Sequence, residues 1–306
     1  MPIDVTQSYT LAAILKWEQE NYYSRDKVTI LAAQTLSPGS VVGQVTAGTV
    51  PTTGTAAGTN TGNGTMTSVT GGTKVKAGVY TMTCVTAVTN SGTFTVEDPD
   101  GEALPSATVG VAYTNDQINF TLNDGATDFV VGDSFTVTVP TGGLQYRAIN
   151  FSGVDGSANA AGLSFATYDA SAPGTYTRTF TSGGTYEVLP GDTLVGATSA
   201  ATCRVVSITL SSGTWAGGDA AGTFTVDTHS GTFQSENLNV GDNTNVATIA
   251  GAMSAVAASD ISGVIIARDA KIATSELTWP SGATTAQKAA ALAQLKTLGI
   301  ITVTEA

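Results

Sequence analysis

One histidine, two cysteines and a short acidic turn carry most of the chemistry available to this 306-residue chain. His229 lies in Asp227-Thr228-His229-Ser230-Gly231, from which a Ser-His-Asp triad can be written. Such a triad needs its serine raised on a sharp strand-to-helix turn, and no nucleophile-elbow pattern surrounds any serine. The segment therefore reads as a turn. Zinc-type sites need several His or Cys ligands that the chain does not carry. In Asp98-Pro99-Asp100-Gly101-Glu102 the carboxylates are close enough to invite Ca²⁺, but the full loop spacing is missing and a proline separates the aspartates, so a solvated hairpin turn is the simpler reading. The Gly-rich stretch from Gly54 to Gly64 has no Lys and helix behind it, which removes a phosphate loop. Cys84 and Cys203 sit on alternating segments of separate domains and read as free buried thiols. Neither catalysis nor a cofactor is expected.

The composition points away from chemistry as well. Only 12% of the residues are charged, glycine is plentiful, and threonine leads the composition, a bias toward short strands joined by tight turns. A net charge of -12 with scattered basic residues argues against nucleic acid, since phosphate binding needs clustered Lys and Arg. Met1-Pro2-Ile3-Asp4-Val5 shows neither a cationic start nor a long apolar run, so synthesis in a host cytoplasm and no membrane partner are expected.

Along the chain, Tyr9 to Glu20 has the spacing of a short helix with Leu11, Ile14, Leu15 and Trp17 clustered. Lys27 to Leu31 and Val41 to Thr46, joined through Pro38-Gly39, read as a hairpin. From Ala47 to Gly64 the Thr, Gly, Ala and Asn composition predicts a flexible connector. Alternating runs at Val79–Thr86, Phe94–Val96, Ile118–Leu122 and Phe135–Val139 then predict a small sandwich. A second β module spans about Arg178 to Ala258, with Trp215 as its apolar centre. No common register aligns the two modules.

The tail predicts one helix: Thr284 and Gln287 stand in capping-box spacing, Ala289, Leu292 and Leu295 share a face, and Gly299 closes it. A last strand, Ile300-Ile301-Thr302-Val303, follows. Trp279, before Pro280, reads as a core residue ending a strand.

Tyr22-Tyr23-Ser24-Arg25-Asp26-Lys27-Val28-Thr29, Gly39-Ser40-Val41-Val42-Gly43-Gln44-Val45-Thr46, Val264 to Ala270, and Trp279-Pro280-Ser281-Gly282-Ala283-Thr284 with Gly299-Ile300 stand in a shared order. In that order they resemble the phage head decoration proteins, the lambda-D-like capsid cement family, over roughly half the chain. The resemblance implies a compact β-rich core with a little helix, and the chain departs from the short family members by its two inserted modules; the expected fold is mainly β, a core with one short C-terminal helix interrupted by two small β-sandwich or β-barrel insertions. The corresponding division is an arm at 1–23, a core from 24–60, 144–177 and 259–306, and inserted modules at 61–143 and 178–258. It further implies a homotrimer at three-fold positions on the outer surface of an icosahedral virion shell, with the major capsid protein as partner.

Two readings of the residues bear on this. Leu11, Ile14, Leu15, Trp17, Tyr22 and Tyr23 form either a capsid-contact arm or a local cap over the core; large amphipathic side chains suit the former. Residues 61–140 hold two basic and eight acidic residues (-6) and 178–258 hold two and six (-4), against eight and ten (-2) elsewhere. Docking surfaces avoid repulsion while solvent-facing ones gain solubility from charge, so the modules are expected to face outward. The rival is a surface β adhesin whose Thr-rich, acidic modules bind host-surface carbohydrate; the missing export signal and aromatic clusters weigh against it.

Overall fold

The computed structural model describes residues 11–181 and 183–303, without the side chains of Leu11, Asn21 and Tyr22. The chain is mainly β and forms two compact units, residues 1–170 with 260–306, and residues 171–259.

The first unit is built on a closed five-stranded barrel. Its strands run, in spatial order, Tyr146–Ala148, Arg25–Ile30, Ile261–Ile266, Ala160–Ser164 and Val41–Gln44, and the last returns to the first. The expected hairpin is corrected here. Arg25–Ile30 and Val41–Gln44 do not pair with each other, because Tyr146–Ala148 enters between them, parallel to one at Ile30 and antiparallel to the other. Alternation along the strands then sorts the side chains. Val42 and Ile265 join Ile30 and Leu36 in one cluster, while Val41, Ile266 and Leu163 join a second with Ile272, Leu295 and Ile300.

That second cluster binds the barrel to the tail. The helix Thr285–Thr297 starts with the expected capping box, Thr284 accepting from the Gln287 N–H, and Gly299 takes a φ of 76 beyond its end. Its buried residues are Ala291 and Leu295; Ala289, expected on that face, is exposed. Trp279 is half-buried, stacked on Phe151 at 6.5 Å with Lys288 Nζ 6.0 Å from its ring. Ile300–Val303 runs parallel to Ala270–Ala273, and Leu15–Glu18 pairs antiparallel on the other side of that strand. The helix expected over Tyr9–Glu20 is thus reduced, in its described part, to one turn at Leu11–Ile14. Isolated short helices are marginal, and here the sheet offers Leu15–Glu18 better hydrogen bonds.

The first module is the expected sandwich. Sheets of five strands and three strands share a core that includes Phe94, Phe129 and Phe135, the first two edge-on at 5.1 Å. Its neck lies earlier than composition suggested. Ala47 bridges Thr141 and Gly48 donates to the Pro140 carbonyl at 2.7 Å. The supposed connector is built into the module: Thr55–Ala56 pairs with Ser134–Val139, and the Thr61 and Gly62 N–H groups each donate at 2.8 Å to the buried Asp133 carboxylate.

In the second unit, six strands close into a ring through the pairing of Tyr176–Thr181 with Ala221–Ser230, with Ser254–Ala255 appended. Trp215 lies in its core, stacked on Phe180 at 5.3 Å. The modules also share one device. Gly132-Asp133 and Gly191-Asp192 form matching turns, with glycine φ values of 98 and 99. Each glycine N–H donates to a strand carbonyl, of Cys84 or Val205, whose own N–H donates back to the aspartate carbonyl. Each aspartate carboxylate accepts from the N–H three residues earlier, Val130 or Leu189. In both, a bulge follows the strand residue so bound.

Candidate functional site

The residues singled out for chemistry are placed in structural roles. His229 is not in a turn; it lies on the strand Ala221–Ser230, its ring stacked on Tyr176 at 4.6 Å and tilted against Phe233 at 5.7 Å. Both cysteines are buried and free. Burial, and then the charge of Asp227, pushes the Cys203 thiol up to about 12, which leaves it un-ionised and unreactive at neutral pH.

The acidic turn is neutralised from within. Lys76 Nζ lies 2.5 Å from Asp98 Oδ2 and 2.7 Å from Asp100 Oδ2, while the Asp98 carboxylate also accepts from Gln117 and from the Asp100 and Glu102 N–H groups. Burial pushes the Asp98 carboxyl up, but those donors outweigh it and hold it at about 2. Asp98 and Asp100 thus already have a cation, the lysine. Glu236 is a second case. It accepts five hydrogen bonds, from the Thr198 and Ser199 N–H and hydroxyl groups and the Gln234 N–H, which together overcome burial and hold it at about 2. Sequence reading missed this carboxylate, because all its donors but the Gln234 N–H come from a loop 37 and 38 residues away. Among the described residues no group of three or more metal-ligating side chains occurs.

What remains is a surface. Of the six arm residues, Ile14 is wholly buried and Leu15 packs beside it in the cluster shared by helix and barrel. Trp17 and Tyr23 are 53% and 51% exposed. The backbones of Leu11 and Tyr22 lie in short helical turns, and their side chains are outside the described set, as are residues 1–10. The segment around Tyr23 is stitched to the barrel. The buried Ser24 hydroxyl donates to the Asp269 carbonyl at 3.0 Å, Ala267 N–H donates to the Ser24 carbonyl, and Arg268 reaches both the Tyr23 carbonyl and Asp26 Oδ2. Arg25 pairs with Glu18 and lies 3.9 Å over the Phe165 ring.

Pairing in the three-stranded sheet puts Trp17 opposite Lys271, and Lys271 opposite Ile301. Register partners project from the same face, so these three form one row across the sheet. Lys271 is exposed and Ile301 is 48% exposed, whereas Ala270, Ile272 and Ile300 between them are buried. An aromatic, a cation and an aliphatic side chain in line give this face of the sheet an amphipathic character, the composition in which protein interfaces are enriched. Trp17 and Tyr23 were singled out by their type, and the structure leaves both exposed; Lys271 and Ile301 became neighbours of Trp17 only through the pairing.

The modules expose aliphatic side chains, Val88, Val111, Val131 and Leu189 among them. Phe94, Phe129, Phe135, Phe180, Phe224, Phe233 and Trp215 are all buried in their cores. A platform for stacking sugar rings is thus absent among these side chains.

The family model described as Bacteriophage lambda head decoration protein D matches residues 4–185 and 183–300. No curated protein matches the chain. Among solved structures, FlgL of Xanthomonas campestris is similar at 19% identity and a TM-score of 0.24, over 36% of this chain and 34% of its own. The flagellar hook junction protein FlgK of Burkholderia pseudomallei is similar at 18% identity and a TM-score of 0.24, over 86% of this chain and 50% of its own. The chain thus spans about a third and a half of those two proteins, and scores at this level carry no argument about fold.

Proposed function

Since the chain belongs to the bacteriophage lambda head decoration protein D family, we propose that it is a structural protein that binds the outer surface of the phage head and stabilises it. The observation that carries this reading is the family match running over both ends of the barrel unit, together with the exposed row of Trp17, Lys271 and Ile301. The N-terminal segment up to Tyr23 and this row form the shell-facing side, with the major capsid protein as partner. The protein acts as a homotrimer at three-fold positions. Its two acidic modules stay in solvent, consistent with the uneven charge along the chain.

Stabilisation of this kind needs no catalysis. A protein that binds only the expanded shell favours it by mass action, by about 2.7 kcal/mol per site when present at one hundred times its dissociation constant. Three linked copies add avidity. Mixing the purified full chain with undecorated, expanded heads tests the reading. Co-sedimentation at three copies per three-fold position, with a raised temperature of DNA release, is the expected result. Absence of binding at saturating protein would overturn it.

A further inference from the structure

Open sheet edges are hazards, because their unpaired N–H and C=O groups recruit other strands, and folded proteins guard them with charge, proline, bulges or covering segments. This chain guards nearly every edge that is described. The barrel and the ring of the second unit are closed. Leu15–Glu18 carries Lys16, Glu18 and a bulge. Ala103–Thr108 contains Pro105 and faces a bulge. Thr65–Gly71 is covered by Thr52–Gly54, through bonds from Val69 to Thr52 and from Gly54 to Met66. The remaining edges, Thr55–Ala56, Ala112–Tyr113, Thr35–Leu36, Tyr168–Asp169 and Ser254–Ala255, are two residues long.

Ile300–Val303 is different. It ends the three-stranded sheet with four uncharged, β-branched residues, no proline and no bulge, and among the described residues nothing pairs with its outer side. Ala270 N–H donates to the Gly299 carbonyl at 3.3 Å, so that carbonyl faces the inner strand, while the Gly299 N–H donates to the Lys296 carbonyl at the helix end; the main-chain groups of the strand alternate from there. Alternation turns those of Ile301 and Val303 the same way and those of Ile300 and Thr302 to the open side.

We infer that this edge accepts an extended strand of the shell protein, which continues the sheet and lies beside Ile301. The inference rests on the proposed head-binding function and adds the contact that performs it. A second copy of the chain is a poorer occupant on two grounds. Its own comparable edges are guarded, and pairing of two Ile300–Val303 edges is isologous, which yields dimers and cannot close a three-fold ring. The exposed Lys271 in the adjoining row favours an incoming strand that carries a carboxylate alongside its apolar residues.

Thr302→Pro tests this, since proline deletes the outward N–H and is tolerated on an edge whose N–H faces solvent. Thr302→Val keeps the N–H and serves as control. With full-chain protein and undecorated, expanded heads, Thr302→Pro is expected to bind about tenfold more weakly or worse, and Thr302→Val like the natural chain. Equal binding by natural chain and Thr302→Pro would overturn the strand, while failure of the natural chain to bind would overturn the head-binding reading instead. Should Thr302→Pro not fold, hydrogen exchange on the natural chain decides: the Ile300 and Thr302 amides are expected to exchange fast when free and to become protected on heads. Protection already present without heads would overturn the inference, pointing to a second copy if it grows with concentration and to the chain's own N-terminal segment if it does not.

Discussion

Two carboxylates show what polar residues do in this protein. Asp98 and Glu236 are buried, each surrounded by donors, and both titrate near 2 instead of near their ordinary values around 4. Between those limits the unfolded chain binds protons that the folded chain refuses. Their stabilising contribution is therefore complete above about pH 5 and is lost as pH falls toward 2. Thermal midpoints should fall across that range. Glu236→Ala, which strands five donors, should destabilise the second unit by about 3 kcal/mol at neutral pH and make its midpoint less acid-sensitive, as read by calorimetry. Trp17→Ala should behave oppositely. The side chain is half exposed, so the melting temperature should barely change while head binding weakens, which co-sedimentation would detect. Residue type singled out Trp17 and Tyr23 for an interface, and the structure leaves both exposed. Type alone did not tell that His229 belongs to an aromatic stack, because Tyr176 is 53 residues away in sequence and only the ring of strands joins them.

At the level of elements, legibility followed locality. The tail helix was written in Thr284, Gln287 and Gly299, three positions that act within one or two turns. The module strands were written in their alternation. The strand Leu15–Glu18 was not, since its hydrogen-bond partners lie about 250 residues on, at Ala270–Ala273, and helical spacing of Leu11, Ile14 and Leu15 masked it. The matched Gly-Asp turns escaped for a related reason: in the first module the turn follows the strand that it binds, and in the second it precedes it. One consequence concerns excision. Ala33 and Gln34 bond the main chain of Ala170, and Ala32 N–H donates to Asp260 Oδ1 at 2.7 Å, so both ends of the second module leave the barrel unit beside one loop. Replacing residues 171–259 by a short Gly-Ser linker should leave the barrel unit folded, with a melting transition like that of the same unit in the full chain; loss of the cooperative transition would show that the unit needs the module.

For the molecule as a whole, the mainly β class was legible but the barrel's order was not. Three separated segments were expected to form one body on the strength of residues at both ends of the chain, yet nothing local tells that Tyr146–Ala148 inserts between Arg25–Ile30 and Val41–Gln44. Closure decides that order, and closure is a property of all five strands together. The same holds for the proposed contact surface: Trp17, Lys271 and Ile301 come into one row only when the two ends of the chain meet. Electron cryomicroscopy of expanded heads incubated with the full chain tests the central claim most directly. The account predicts density for three copies at each three-fold position, with the Trp17–Lys271–Ile301 face against the shell and the acidic modules in solvent. Bare three-fold positions at saturating protein would contradict it.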